Sequence, residues 1–292
     1  MSIVITGATG HLGRHVVETL LERGVPAQEI TATGRSIEKI ADLADRGVQI
    51  KMMDYTDPAS VDSALEGASK VLLVSGADMG DRVAQHRTVV EAAARAGVEL
   101  VAYTSIANAD SSHMKMAVDH LATENIIRES GIPFVFLRNG WYLENYTDQL
   151  QGTLAQGAFA GSAGEGRVSA AARADYAEAA AAVLVAEDQA GKIYELGNDD
   201  SFSMAELATE ISAASGKEIA YQNLPAADYA ALLTKIGLPE VFAQVLADSD
   251  LGIARGDLLV TSGDLSKLLG RPTTSMADAV RAATAAVLAE SK

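Results

Sequence analysis

The chain contains no cysteine. Disulfides, thiolate nucleophiles and cysteine-held metals are thereby excluded, and any chemistry falls to oxygen and nitrogen groups or to a bound cofactor. A cysteine-free composition also fits a cytoplasmic protein. Aromatic residues are scarce, 5% of the 292 positions, with Trp141 the single tryptophan. The few that cluster therefore carry more information. Positive charge is in short supply: 23 Lys and Arg stand against 39 Asp and Glu, a formal net charge of -16. Binding nucleic acid needs clustered Lys and Arg to neutralise phosphates, so no nucleic-acid partner is expected. No apolar run approaches the ~18 residues of a spanning helix, and no membrane span is expected. The first residues lack the basic-then-apolar pattern of a secretory signal. The histidines His11, His15, His86, His113 and His120 show no metal-ligand spacing, so no metal is expected.

What is present begins at once. The apolar run Ser2–Thr6 leads straight into glycines at positions 7, 10 and 13. Leu12, Val16 and Leu20 then recur at the spacing of a buried helix face. Strand, tight turn and helix in this register form the context that makes a glycine motif a dinucleotide site. Gly7 allows a sharp turn. Gly10 lets backbone N–H groups approach a pyrophosphate, and Gly13 lets the helix pack closely on its strand. The phosphates would sit at the positive end of that helix.

Strand-like runs at Ser2–Thr6, Ile30–Gly34, Val48–Met53, Lys70–Ser75, Leu100–Ser105, Phe134–Arg138 and Ile193–Leu196 alternate with helical patterns at 11–23, 36–46, 58–66, 81–96 and 115–130. The alternation predicts an α/β fold, a doubly wound parallel sheet of the NAD(P)-binding Rossmann type with a smaller C-terminal α/β lobe. Residues 152–167, rich in Gly, Ala and Ser, read as a loop region. An alanine-rich helix is expected at 175–187 with Asp175 as its N-cap, and Ser203-Met-Ala-Glu206 reads as a capping box. A short strand is expected near Ile219–Gln222. Residues 1–140 with about 173–197 make the nucleotide domain, and about 141–172 with 198–292 the lobe that caps it.

The second strand, Ile30-Thr-Ala-Thr-Gly-Arg35, ends in a base, with no acid between Glu29 and Glu38. A carboxylate there selects NAD through the ribose hydroxyls, whereas a base pairs with the 2′-phosphate of NADP. Arg35 therefore predicts NADPH, with Arg14 and Lys39 as helpers. Asp54 reads either as an adenine contact or as the start of a turn before Asp57-Pro58. Small residues at Ser75-Gly76-Ala77 would let the backbone pass the ribose and nicotinamide.

Gly7-Ala-Thr-Gly-His-Leu-Gly13 resembles the short-chain dehydrogenase/reductase superfamily, particularly its extended and atypical branches. Most of its members use Tyr-x-x-x-Lys, in which the Tyr protonates the substrate carbonyl. No such pair exists here: four residues after Tyr103 is Ala107, and four after Tyr142 is Tyr146. The segment Gly131-Ile-Pro-Phe-Val-Phe-Leu-Arg-Asn-Gly-Trp-Tyr-Leu-Glu-Asn145 is similar to that of the NmrA-like atypical group. Aryl-ether and isoflavone reductases of that group place a catalytic Lys where this chain has His120, so their chemistry is not carried over. Across the whole chain the closer resemblance is to the type 2 NAD(P)H:quinone oxidoreductases. It rests on Gln85-His-Arg87, Ala102-Tyr-Thr-Ser105, Arg138-Asn-Gly-Trp-Tyr142, Glu144-Asn-Tyr146, Arg173-Ala-Asp-Tyr176, Tyr194-Glu-Leu196 and Leu269-Gly-Arg-Pro-Thr-Thr274.

That resemblance implies NADPH-dependent two-electron reduction of quinones without flavin or metal. It implies cofactor contacts from Gly7, Ala8, Thr9, Gly10, His11 and Leu12, from Arg35, from Ser75, Gly76 and Ala77, and from Asn139, Gly140, Trp141, Tyr142, Leu143 and Glu144. A flat quinone would stack on Trp141, with Gln85 and Tyr146 also facing substrate, and Tyr142 or His120 would supply any needed proton. The chemistry is consistent with the missing pair. Hydride reduction of a ketone leaves an alkoxide nearly as basic as hydroxide, ~15.7. A quinone leaves a phenolate-like oxygen near ~10, easier by ~5 units or roughly 7 kcal/mol. The alternative is a non-catalytic NADP(H)-binding redox sensor of the NmrA type, and a third reading is a reductase of other activated double bonds or carbonyls. The sequence leaves a homodimer open.

Overall fold

Ile3–Ile5, three β-branched residues buried without exception, form strand β1. Branched side chains favour extended backbone, and burial of neighbouring residues on opposite faces marks an interior parallel strand. The computed structural model describes residues 2–76, 78 and 80–290. After β1 the chain forms α1 (His11–Glu22), β2 (Ile30–Gly34), α2 (Ala41–Asp45), β3 (Gln49–Met52), α3 (Pro58–Leu65), β4 (Lys70–Leu73), α4 (Arg82–Arg95), β5 (Leu100–Ile106), α5 (Lys115–Glu129) and β6 (Phe134–Asn139). There follow α6 (Glu144–Thr147), α7 (Leu150–Gln156), β7 (Ala158–Gly161), β8 (Arg167–Val168), α8 (Arg173–Val185) and β9 (Ile193–Leu196). The remainder is β10 (Phe202–Ser203), α9 (Met204–Ser215), β11 (Ala220–Asn223), α10 (Ala226–Lys235), α11 (Glu240–Arg255), α12 (Asp264–Leu269) and α13 (Met276–Glu290).

Two compact units arise. The first comprises Met1–Ile106, Asp119–Asn139 and Arg173–Tyr194; the second comprises Ala107–Val118, Gly140–Ala172 and Glu195–Lys292. The large sheet has the order β3-β2-β1-β4-β5-β6-β9, and its ladders from β3 to β6 are parallel. Val4, Val71, Leu73, Val101, Tyr103 and Phe136 form one core with Val61, Leu65, Val89, Val90 and Ile127 from the helices. The alternate residues Ile3, Ile5, Leu72, Ala102 and Leu137 are equally buried, as strands covered on both faces require. In the first unit α1 packs on α8, whose buried alanines leave room for a close helix pair.

In the second unit β7 pairs in parallel with β11, and β8 antiparallel with β10. Among the described residues no helix is long and apolar enough to cross a membrane.

Several local expectations need correction. The 152–167 stretch is not a loop region throughout: it holds the end of α7, all of β7 and the start of β8. Strand β7 is held by β11, which lies sixty residues on and leaves no local signal. Helix α8 starts at Arg173, so Asp175 lies inside its first turn rather than at the N-cap. An acid there still complements the helix dipole. The 36–46 segment is a 3-10 turn, Ile37–Ile40, followed by the short α2.

Candidate active site

Strand order reverses between β1 and β4, and in open α/β sheets the ligand crevice lies beyond the carboxyl ends at such a point. There the chain turns at Gly7, whose φ of 60° is left-handed. Gly10 N–H closes the turn on Gly7 O at 2.9 Å, and Ala8 N–H binds Thr33 O at 2.8 Å. Helix α1 then opens at Gly10 without a side-chain cap. Its first N–H groups keep their partial positive charge for a ligand. A Cβ at Gly13 would lie 2.6 Å from Gly7 O and 2.9 Å from Ala8 Cα, which shows how tightly helix and turn are packed. A Cβ at Gly34 would lie 2.5 Å from the Thr9 side chain. Strand β2 must therefore end in glycine for Thr9 to fit, a requirement the sequence does not display. Of the remaining loop residues, Ala8 is buried, Leu12 half-buried and His11 exposed.

Arg35, the next residue, is exposed. Among the described residues its guanidinium has no ion pair or side-chain hydrogen bond. Arg14 is already engaged, donating to Asp42 at 3.0 and 2.5 Å and to Glu18 at 2.9 Å. Asp54 performs the turn role: it accepts from Thr56 N–H at 2.9 Å and Thr56 Oγ1 at 2.8 Å. These bonds hold its carboxyl below the usual range, with a smaller contribution from the Arg35 charge. A phosphorylated nucleotide fits this end of the sheet, with an uncapped helix terminus for a pyrophosphate and an unpaired guanidinium for a further phosphate.

Beyond β4 three successive N–H groups leave the strand ladder, and each is caught by a side chain of a different element. Val74 N–H donates to Thr6 Oγ1 at 2.9 Å, Ser75 N–H to Thr104 Oγ1 at 2.8 Å and Gly76 N–H to His86 Nε2 at 3.0 Å. Tyr55 donates its hydroxyl to Thr6 Oγ1 at 2.5 Å and reaches Val74 O at 3.1 Å, and burial pushes that phenol up to about 12. Arg82 Nε donates to Gly76 O at 2.9 Å. The predicted Ser75 and Gly76 are thus rigidly placed, while Ala77 lies outside the described residues. Gln85 is half-buried and donates to Asp78 at 3.0 Å. Its Oε1 would lie 3.8 Å from a Cβ on Gly76.

His120 is buried on α5, with Nδ1 2.8 Å from the Tyr103 hydroxyl. Burial, then the charge of Arg82, pushes it down to about 3, so it is a neutral imidazole at physiological pH. Nearby, the fully buried Glu124 accepts from Ser105 Oγ at 2.7 Å, from Arg138 at 2.9 and 2.8 Å and from Arg128 at 3.0 Å. A buried carboxylate needs this much compensation. The result bolts the end of β6 to α5 immediately before the buried Asn139.

Gly140 to Glu144 and Tyr146 belong to the second unit. Trp141 is buried and Tyr142 half-buried. Ala171 N–H donates to Trp141 O at 2.9 Å and Leu143 N–H to Ala171 O at 3.0 Å, fixing this stretch as an isolated parallel bridge. Glu144 opens α6. Tyr146 packs edge-on against Phe202 with ring centres 6.0 Å apart. Burial and the neighbouring Asp250 raise its hydroxyl well above the ordinary value.

The sequence pattern of the NmrA-like family matches residues 1–252. The chain belongs to the NmrA-like family. It is 46% identical to Quinone oxidoreductase 2 of Escherichia coli over 278 residues, 95% of this chain and 97% of that protein. The crystal structure of that NADPH-dependent quinone oxidoreductase complexed with NADPH superposes with a TM-score of 0.92, covering 95% of this chain and 98% of the other. Triphenylmethane reductase of Citrobacter sp., crystallised with NADP(H), is 39% identical over 97% of this chain and all of its own, again with a TM-score of 0.92. The negative transcriptional regulator NmrA, solved with NAD, covers 100% of this chain and 98% of its own at 16% identity and a TM-score of 0.79, a likeness of fold alone.

Proposed function

We propose that this NmrA-like protein is an NADPH-dependent quinone oxidoreductase. The observation that carries the reading is its 46% identity, along 95% of the chain, to a quinone oxidoreductase whose structure holds NADPH. The unpaired Arg35 beside an uncapped helix terminus supports it. In this reading Gly7 to Leu12 cradle the pyrophosphate and Arg35 takes the 2′-phosphate. Ser75, Gly76, Ala77 and the Asn139–Glu144 segment hold the nicotinamide end. NADPH, when bound, supplies the hydride equivalent that a quinone accepts. Gln85, Trp141 and Tyr146 face the quinone.

The product is a phenolate-like oxygen of pKa about 10, so orientation and exclusion of water suffice and a strong acid is unnecessary. Of the two proton-donor candidates Tyr142 is the stronger. A neutral His120 engaged with Tyr103 has no acidic proton to give at pH 7. No flavin and no metal are invoked.

The test is loss of reduced-nicotinamide absorbance when the purified protein meets NADPH and 1,4-naphthoquinone. Turnover that Gly10→Val abolishes is the expected result. Tight NADPH binding with no turnover across a quinone panel would select the redox-sensor reading instead. Tyr142→Phe should slow turnover by no more than about tenfold, because the oxygen that gains charge is a weak base.

A further inference from the structure

Gly76 is gripped at both of its backbone polar groups by one helix. Its N–H donates to His86 Nε2 at 3.0 Å, and its carbonyl accepts from Arg82 Nε at 2.9 Å. Arg82 and His86 lie four residues apart, on one face of α4, and are 4% and 0% exposed. The chain of donors continues inward: His86 Nδ1 lies 2.9 Å from Thr123 Oγ1, whose own hydroxyl donates to Asp119 O at 2.9 Å.

The directions of these bonds admit one assignment. A backbone N–H only donates, so Nε2 must be bare. The ring proton then sits on Nδ1 and points at Thr123 Oγ1, whose hydrogen is committed to Asp119 O. Each donor from the Gly76 N–H through the ring to the Thr123 hydroxyl has an acceptor, and the imidazole is locked in one tautomer. Tyr55 and Tyr103 pack edge-on against the ring, with centres 6.2 and 5.5 Å away, and prevent it from tilting. Protonating Nε2 would set N–H against N–H. Burial and the Arg82 charge oppose it further and push His86 down to about 3. His86 is therefore no acid or base for the reaction.

The glycine itself is not demanded by the fold. Among the described residues a Cβ at Gly76 would meet nothing closer than 3.7 Å, an ordinary contact. The effort spent on holding this residue in place is thus unexplained by internal packing.

We propose that His86 is a positioning residue for the cofactor: through its Nδ1–H tautomer it sets the Gly76 peptide, and so the turn after β4 against which the nicotinamide end of NADPH rests. The proposal rests on the oxidoreductase reading for the identity of that ligand. It excludes direct participation of His86 in the chemistry.

The experiment is calorimetry of the full chain with NADPH. His86→Leu removes the acceptor and should weaken binding by about tenfold or more. His86→Gln places an amide oxygen where Nε2 stood and should recover most of that loss, although both variants lose the Thr123 partner and melt lower. The KM for 1,4-naphthoquinone should stay within about twofold in both. A 15N spectrum of the wild type should show His86 protonated at Nδ1 and bare at Nε2. If His86→Leu fails to fold, Thr123→Val carries the test: it strands the Nδ1–H without an acceptor and loosens the ring that holds Gly76, and NADPH affinity should fall. Wild-type affinity in His86→Leu or in Thr123→Val overturns the proposal, as does a His86→Gln no better than His86→Leu. Binding is read without any quinone. A wild type that binds NADPH but never turns over would sink the oxidoreductase reading and leave this one standing or falling on its own data.

Discussion

At Gly13 a single methyl group would meet three backbone atoms, the nearest at 2.6 Å. Helix propensity alone favours Gly13→Ala by about 1 kcal/mol, but overlap with a rigid turn costs about 1–3 kcal/mol. Sterics win, because backbone cannot swing away as a long side chain would. The net loss of up to about 2 kcal/mol corresponds to a drop of up to about 4 °C in melting temperature for Gly13→Ala, read by calorimetric scanning. With Arg35 proposed to take the 2′-phosphate, Arg35→Ala should remove those charge-assisted bonds. NADPH should bind about tenfold or more weakly and NADH within about twofold of wild type, measured by calorimetry at one fixed ionic strength. The spacing of the glycines and the base at position 35 were readable from the chain. The partners of Thr6, Thr9, Thr104 and His86 were not, because each is supplied by a residue far away in sequence.

Among the elements, α9 shows local chemistry at its clearest. Ser203 Oγ accepts from Glu206 N–H at 3.3 Å, and the Glu206 carboxylate accepts from Ser203 N–H at 2.9 Å. Arg167 and the Ser203 N–H hold the Glu206 carboxyl below its usual range. Ser203→Ala should cost about 1 kcal/mol, read as a shifted urea midpoint with unchanged slope. Asp57 likewise caps α3, accepting from Ala59 N–H at 3.1 Å. The Ser203 cap was legible because a capping box is complete within four residues. Strand β7 was illegible for the opposite reason: Ala158–Gly161 becomes a strand only through its ladder with Ala220–Asn223. The burial of Asp175 inside α8 shows that an N-cap residue type placed one turn late reads the same in sequence.

On the scale of the whole molecule, stability should respond to pH through Asp250. Its carboxylate accepts from Ser162 N–H at 2.6 Å, a bond that favours the charged form. Burial outweighs it and pushes the group up to about 6. A carboxyl raised in the folded state holds its proton after the unfolded chain has lost its own. The folded form therefore binds more protons between about pH 4 and 6, and stability falls as pH rises through that window. Asp250→Asn keeps an acceptor for Ser162 and removes the charge. Its stability relative to wild type should rise from pH 4 to pH 7 and then level off, followed by denaturant titration at each pH. A difference independent of pH would contradict the raised value. The net charge of -16 acts in the same direction, since self-repulsion grows as carboxyls ionise.

Periodicity, capping signals and glycine spacing are properties of neighbouring residues, and they were enough to determine the parallel sheet and the turn at Gly7. Burial and hydrogen-bond direction are properties of residues brought together by folding. They alone decided that His120 is neutral, that Glu124 is a buried anchor for Arg138, and that His86 grips the turn at Gly76. A histidine looks the same along a chain whether it faces water or lies between two tyrosines; its charge, tautomer and task are set by the surroundings that the tertiary structure supplies.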